Sequence, residues 1–200
     1  MADIILNLFI FGVTAYLVVR CFISEVGKWD PQQGKKAFRF FTCLSNIFCA
    51  AAALLTAMAG MAGPVPGWIW TLKYMGTAAV TVTMMTVFLF LGPSIGKGWA
   101  EVLLKGSRNL FMHLITPLMA IFSFCILEKR GMSFAQSLWG LLPVLLYGAL
   151  YLYRILYAPE GKRWDDFYGF NKGGKWPVTF TAMLIGTFLI CVGLMALQNL

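Results

Sequence analysis

Acidic residues are scarce in this chain: eight Asp and Glu in 200 residues, against sixteen Lys and Arg. All eight (Asp3, Glu25, Asp30, Glu101, Glu128, Glu160, Asp165 and Asp166) fall outside the apolar interiors. Proton-coupled carriage across a membrane therefore has no obvious carboxylate relay. There is one histidine, His113, and the five cysteines form no CxxC pair, which excludes a zinc site or a bis-histidine haem. No metal or cofactor is expected, and Cys21, Cys43, Cys49, Cys125 and Cys191 read as small buried apolar groups. No internal repeat is visible, so the inverted-repeat signature of many transporters is missing. Met1-Ala2-Asp3 carries no Lys or Arg and no small-x-small cleavage site follows, so the first apolar run reads as a retained helix. Charged residues make up only 12%, too few for the solvated surface of a soluble domain.

Apolar residues are abundant instead, at 60%, and they come in long runs rather than amphipathic stripes. A hydrocarbon core about 30 Å thick demands about 20 such residues of each helix. Six spans can be drawn, roughly 4–23, 40–62, 68–91, 108–127, 133–157 and 177–197. The expectation is an all-α membrane protein, a six-transmembrane-helix bundle forming one domain over 1–200. The punctuation agrees: Gly63-Pro64-Val65-Pro66-Gly67 reads as a tight turn, Gly92-Pro93 as a helix end and Pro177 as a first helical turn.

The formal charge of +8 does not predict nucleic-acid binding, because the basic residues sit in short loops rather than on one solvated patch. They divide unevenly between the two ends. Arg20, Lys28, Lys35, Lys36 and Arg39 share one side with Lys97, Lys105 and Arg108 and with Arg154, Lys162, Arg163, Lys172 and Lys175. The other side has Lys129 and Arg130, plus Lys73, which is expected to snorkel from five residues into the third span. The positive-inside rule then places the longer loops in the cytoplasm and both termini outside, as in a bacterial inner-membrane protein.

Polar side chains inside the spans collect on two faces. Thr42, Ser45, Asn46, Cys49 and Ala53 follow the rhythm of one helix face on the second span, and Asn109, His113, Thr116, Pro117 and Ala120 do so on the fourth. A third stripe, Thr77, Thr81 and Met84, is available on the third span to line a substrate site. Thr42 lies three residues beyond Arg39 and His113 five beyond Arg108, which puts both roughly 4–8 Å below one surface. A hydroxyl beside a lone imidazole is the minimum for a base-activated oxygen nucleophile. Each residue also has a bland role open to it: helix-to-helix hydrogen bonding for His113, Ser45 and Asn46, and capping or packing for Thr42. Asn46 is a candidate oxyanion donor, and Asn109 could orient the ring. Asp165 or Asp166 could do so only if the last basic loop folds back. Cys43 is the alternative nucleophile, about 100° around the helix from Thr42.

The six-span layout, the Phe-Thr-x-x-Ser-Asn opening of the second span and the His-x-x-x-Pro of the fourth resemble the androgen-induced protein and androgen-dependent TFPI-regulating protein family. The resemblance implies intramembrane hydrolysis of fatty acid esters of hydroxy fatty acids, with Thr42 as nucleophile and His113 as general base. It departs after the fifth span, where Arg163-Trp164-Asp165-Asp166-Phe167-Tyr168-Gly169 stands in place of a Tyr-Pro-Phe-Leu-Asp-like segment. The other expectation from the residues themselves is a non-enzymatic lipid-binding or transport protein with the same faces lining a pocket. A lipid or fatty-acyl ester is the expected partner in both, and the oligomeric state is left open.

Overall fold

The computed structural model describes residues 1–24 and 26–200, the side chains of Val102 and Leu103 excepted. Six helices are long and apolar enough to cross a membrane: Ala2–Arg20, Phe41–Ala62, Gly67–Ile95, Gly106–Leu127, Phe134–Tyr157 and Trp176–Asn199. Among the described residues there is no strand beyond the single antiparallel bridge between Ile23 and Trp29. Short helices at Pro31–Ala37 and Trp99–Leu104 lie in the basic loops. The protein is an integral membrane protein of the all-α class, and its exposed surface fits that solvent. Leu89, Phe90, Phe122, Ile126, Leu146, Val178, Ile185 and Leu189 all face outward, where lipid rather than water must receive them.

The third span is the central post. Every residue from Lys73 to Met84 is buried, and this stretch of Gly, Ala, Val and Thr lets the neighbouring backbones come close. At Gly76 an added Cβ would sit 2.9 Å from the Cys49 Cα, so the second and third spans could not meet there with any other residue. The threonines turn their hydroxyls back onto their own helix: Thr77 donates to the Lys73 carbonyl at 2.9 Å and Thr81 to that of Thr77 at 2.7 Å. Neither of these two hydroxyls is left as an orphan donor against the apolar core. The first span packs on the second, and the fourth, fifth and sixth reach the third from its other sides.

Proline placement explains the irregular turns. Pro117 has no amide proton and its ring clashes with the carbonyl four residues earlier, which is that of His113. The chain answers with a π-helical turn over Phe111–Ile115 immediately before Thr116-Pro117. The same device corrects one expectation. Gly92-Pro93 does not end the third span; a π-helical turn at Val87–Leu91 absorbs Pro93 and the helix runs on to Ile95. Pro177 does sit in the first turn of the sixth span.

One further expectation fails on burial. Lys73 does not snorkel: it is wholly buried. Glu128 lies just beyond the fourth span, outside its apolar interior as expected, yet its side chain is only 6% exposed and lies 3.8 Å from the Lys73 ammonium. At that level the first, third and fourth spans surround both groups, and the short reach to water that snorkelling needs is blocked by protein.

Candidate active site at the head of a membrane groove

Thr42 stands in the first turn of the second span, whose opening residue Phe40 is extended and supplies no side-chain cap. The last basic loop fills that gap. The Phe41 amide donates to the Tyr168 hydroxyl at 3.0 Å, and the Phe40 and Phe167 rings meet at 4.6 Å between centroids. Tyr168 is drawn in by its own amide, which donates to the Tyr151 hydroxyl at 3.1 Å. Tyr151 in turn donates to Asp166 at 2.9 Å, and the same carboxylate accepts from the Phe170 and Asn171 amides at 2.8 and 2.7 Å. The loop therefore folds back over the bundle as an ordered aromatic cap. Asp166 spends its oxygens holding that cap together, and Asp165 is exposed.

Replacing Asp166 with Ala removes all three bonds. Because the carboxylate is exposed the expected cost is small, about 1 kcal/mol, but the amides of 166–171 lose protection. Hydrogen exchange measured peptide by peptide reads this directly, and protection unchanged from the parent would contradict the bracing role.

A small pocket of about 50 Å³ is lined by Thr42 together with Thr83, Thr86, Tyr147 and Tyr168. The Tyr168 hydroxyl is in reach of the Thr42 and Tyr147 hydroxyls, and shelter from water pushes its ionisation above the ordinary value of 10.0. It is thus a neutral phenol at neutral pH, a hydrogen-bond donor beside the threonine. Neither tyrosine was expected from the sequence, because nothing local announces which span the loop residue Tyr168 will touch or which way Tyr147 turns within the fifth span.

The pocket opens onto a groove of about 690 Å³ between the third and sixth spans. Thr81, Met85 and Leu89 form one wall, Met183, Gly186 and Ile190 the other, and Tyr168 and Phe170 close the end at the basic loops. From Thr179 to Leu197, at about 1.5 Å per residue, it runs for roughly 27 Å. Leu89, Phe90 and Leu189 along it are each 62% exposed, so the groove opens sideways to lipid.

Ser45 and Asn46 act as braces. Ser45 Oγ lies 3.2 Å from the Thr42 carbonyl and 2.8 Å from Thr83 Oγ1, tying the second span to the third. Asn46 Nδ2 donates to the Thr42 carbonyl at 2.8 Å and across to the Met112 carbonyl at 3.1 Å. Both of its amide protons are spent on carbonyls, so this carboxamide fixes the fourth span against the second rather than pointing a donor at a substrate. His113, one residue beyond Met112 on the π-helical turn, is half-buried, as is Asn109, and neither lines the pocket or the groove. Thr81 lines the groove, while Thr77 and Met84 are buried behind it. Cys43 turns away from Thr42 toward Cys21 and Arg108. Among the described residues no cluster of His, Cys, Asp and Glu could hold a metal ion. Set against protein-family models, curated proteins and solved structures, the chain matches none of them.

Proposed function

We propose that the chain is an intramembrane hydrolase of single-chain lipid esters, of the kind found in fatty acid esters of hydroxy fatty acids. The observation that carries this reading is one juxtaposition. The pocket around Thr42 shares Val82, Thr86, Leu91, Tyr168, Phe170 and Met183 with a groove of acyl-chain dimensions. A chain lying in the groove brings its carbonyl to the threonine.

Thr42 Oγ1 attacks that carbonyl as His113 takes the hydroxyl proton; the tetrahedral intermediate collapses to an acyl-threonine and the alcohol leaves with the proton. Water, deprotonated by His113, then releases the acid and restores Thr42. Tyr168, a neutral phenol beside Thr42, donates to the oxyanion. Asn46 keeps the helix that carries the base at the level of the nucleophile. By the positive-inside rule the basic loops lie in the cytoplasm of a bacterium, so this chemistry takes place just beneath the inner leaflet surface.

A second reading, lipid held but not cleaved, is favoured by the position of His113 outside the lining of both cavities. The two share the groove, which is tested first. Gly186 and Gly193 line it, and a Cβ added at either meets nothing within 4 Å. Leucine at both positions fills the groove without disturbing the bundle. The expected result is a tenfold or greater fall in retention of a fluorescent fatty-acyl ester, with hydrolysis falling in parallel. Retention and turnover at parental levels in a normally folded Gly186→Leu/Gly193→Leu protein would remove the groove from both readings. Intact ester recovered by mass spectrometry after long incubation with the parent would leave only the second.

A further inference from the structure

Four side chains from three spans meet inside the bundle near the end away from the basic loops. Lys73 donates to the Asn7 carboxamide oxygen. Asn7 Nδ2 donates to Glu128 Oε1 at 2.6 Å, and Ser123 Oγ reaches the same oxygen at 2.6 Å. The Lys73 ammonium stands 3.8 Å from that oxygen, close enough for attraction but beyond hydrogen-bond length. The Trp70 indole holds the Glu128 backbone carbonyl at 3.1 Å. Among the described residues no hydrogen-bond partner reaches the buried Glu128 Oε2.

This asymmetry is the informative feature. A buried ion pair retained for stability alone is no better than apolar residues of the same shape, and an ionisable pair among membrane spans is a functional candidate by default. A carboxylate kept only as a strut would have both oxygens occupied. Here one oxygen is crowded with donors and the other is left to take a proton. Glu128 follows directly on the last residue of the fourth span and precedes the exposed Lys129 and Arg130, and its side chain, unlike that of Lys73, keeps 6% exposure by which a proton can enter.

We propose that Glu128 is a proton-binding site inside the membrane, taking a proton on Oε2 while Asn7 and Ser123 hold Oε1 and Lys73 holds Asn7. The step balances simply: the carboxylate and a hydronium ion give the carboxylic acid and water, with no electrons moved. The proton adds one positive charge to the cluster, and the Lys73 ammonium loses its counter-ion. The carbonyl oxygen of a neutral acid accepts more weakly than a carboxylate, so the hold on the first span through the Asn7–Glu128 bond slackens. The groups facing Glu128 are Lys73 from the third span, Cys49 from the second, neutral Asn7 from the first and neutral Ser123 from the fourth. On the sixth span neutral Gln198 is bound to the Phe124 carbonyl, and the Arg130 guanidinium is turned to the Val65 carbonyl at 2.8 Å. None of this depends on the ester-hydrolase reading.

The test uses the full chain in lipid nanodiscs, with infrared difference spectra recorded on acidification. The expected result is one carbonyl band of a buried carboxylic acid, displaced when isotope-labelled glutamate is incorporated and missing in Glu128→Gln. Ser123→Ala keeps the ion pair but removes one donor to the ionised form, and it moves proton uptake to higher pH. Exchange of the Ala2–Arg20 amides rises in step with the band in the parent protein. A band unmoved by labelled glutamate, a band retained in Glu128→Gln, or uptake at the same pH in Ser123→Ala would overturn the proposal. The labelling and Ser123→Ala arms decide it even if Glu128→Gln fails to fold.

Discussion

Replacing Thr42 with Ala reduces ester turnover on the order of 10⁴-fold or more, the scale expected when a nucleophile is removed from a catalytic unit. The same substitution abolishes labelling by a fluorophosphonate probe, because Thr42 is the hydroxyl proposed to attack at the head of the groove. Thr83 and Thr86 share the pocket, but Thr83 is committed to the Ala79 carbonyl at 3.2 Å and to Ser45. Thr42→Ser retains activity, since the hydroxyl survives. Lipid retention is unchanged in Thr42→Ala, because the groove walls between the third and sixth spans are intact. His113→Ala falls by a similar factor, as removing either member of a nucleophile–base pair does. Thr42→Ala and His113→Ala proteins that hydrolyse and label like the parent would end the catalytic reading and leave the lipid-holding one standing.

Replacing Lys73 with Met costs about 3–5 kcal/mol of stability, because it leaves the Glu128 carboxylate buried with no counter-charge. Denaturation in mixed micelles, read by loss of helical signal, measures it. The double variant Lys73→Met/Glu128→Leu recovers most of the loss, since removing both charges together also removes the cost of dehydrating them. A single variant as stable as the parent would mean that the ammonium reaches water after all. This contrast separates a buried pair from a snorkelling lysine, for which Met would be nearly neutral.

The two residues also mark the boundary of what a linear reading could find. Lys73 lies 66 positions from Asn7, and no local pattern states that these groups and Glu128 will share one site. Five residues into a span, a lysine with a flexible stem reaches either water or a partner, and only the packing of the first, third and fourth spans chooses between them. Tyr168 is a similar case, 127 positions from the amide it caps. The Phe-Thr-x-x-Ser-Asn opening, by contrast, could be read as one helix face in advance. The bonds of Ser45 and Asn46 show why that face is polar: it must satisfy carbonyls on its own helix and on the fourth span. The His-x-x-x-Pro spacing was visible too, although its immediate consequence, a π-helical turn that relieves the clash of Pro117 with the His113 carbonyl, is local geometry rather than chemistry.

By itself the sequence determined the number of spans, their approximate limits and the end at which the basic loops gather. Those follow from the thickness of a hydrocarbon layer and from the cost of placing charge within it, and both act on every residue wherever the chain later folds. The tertiary structure alone decided which spans enclose the groove, which loop residue reaches Thr42, and that a lysine and a glutamate are buried together. The physical reason is that lipid accepts any apolar face equally well. Exclusion from water chooses no partners among six apolar helices; close backbone contact at positions such as Gly76 and a few directional hydrogen bonds do.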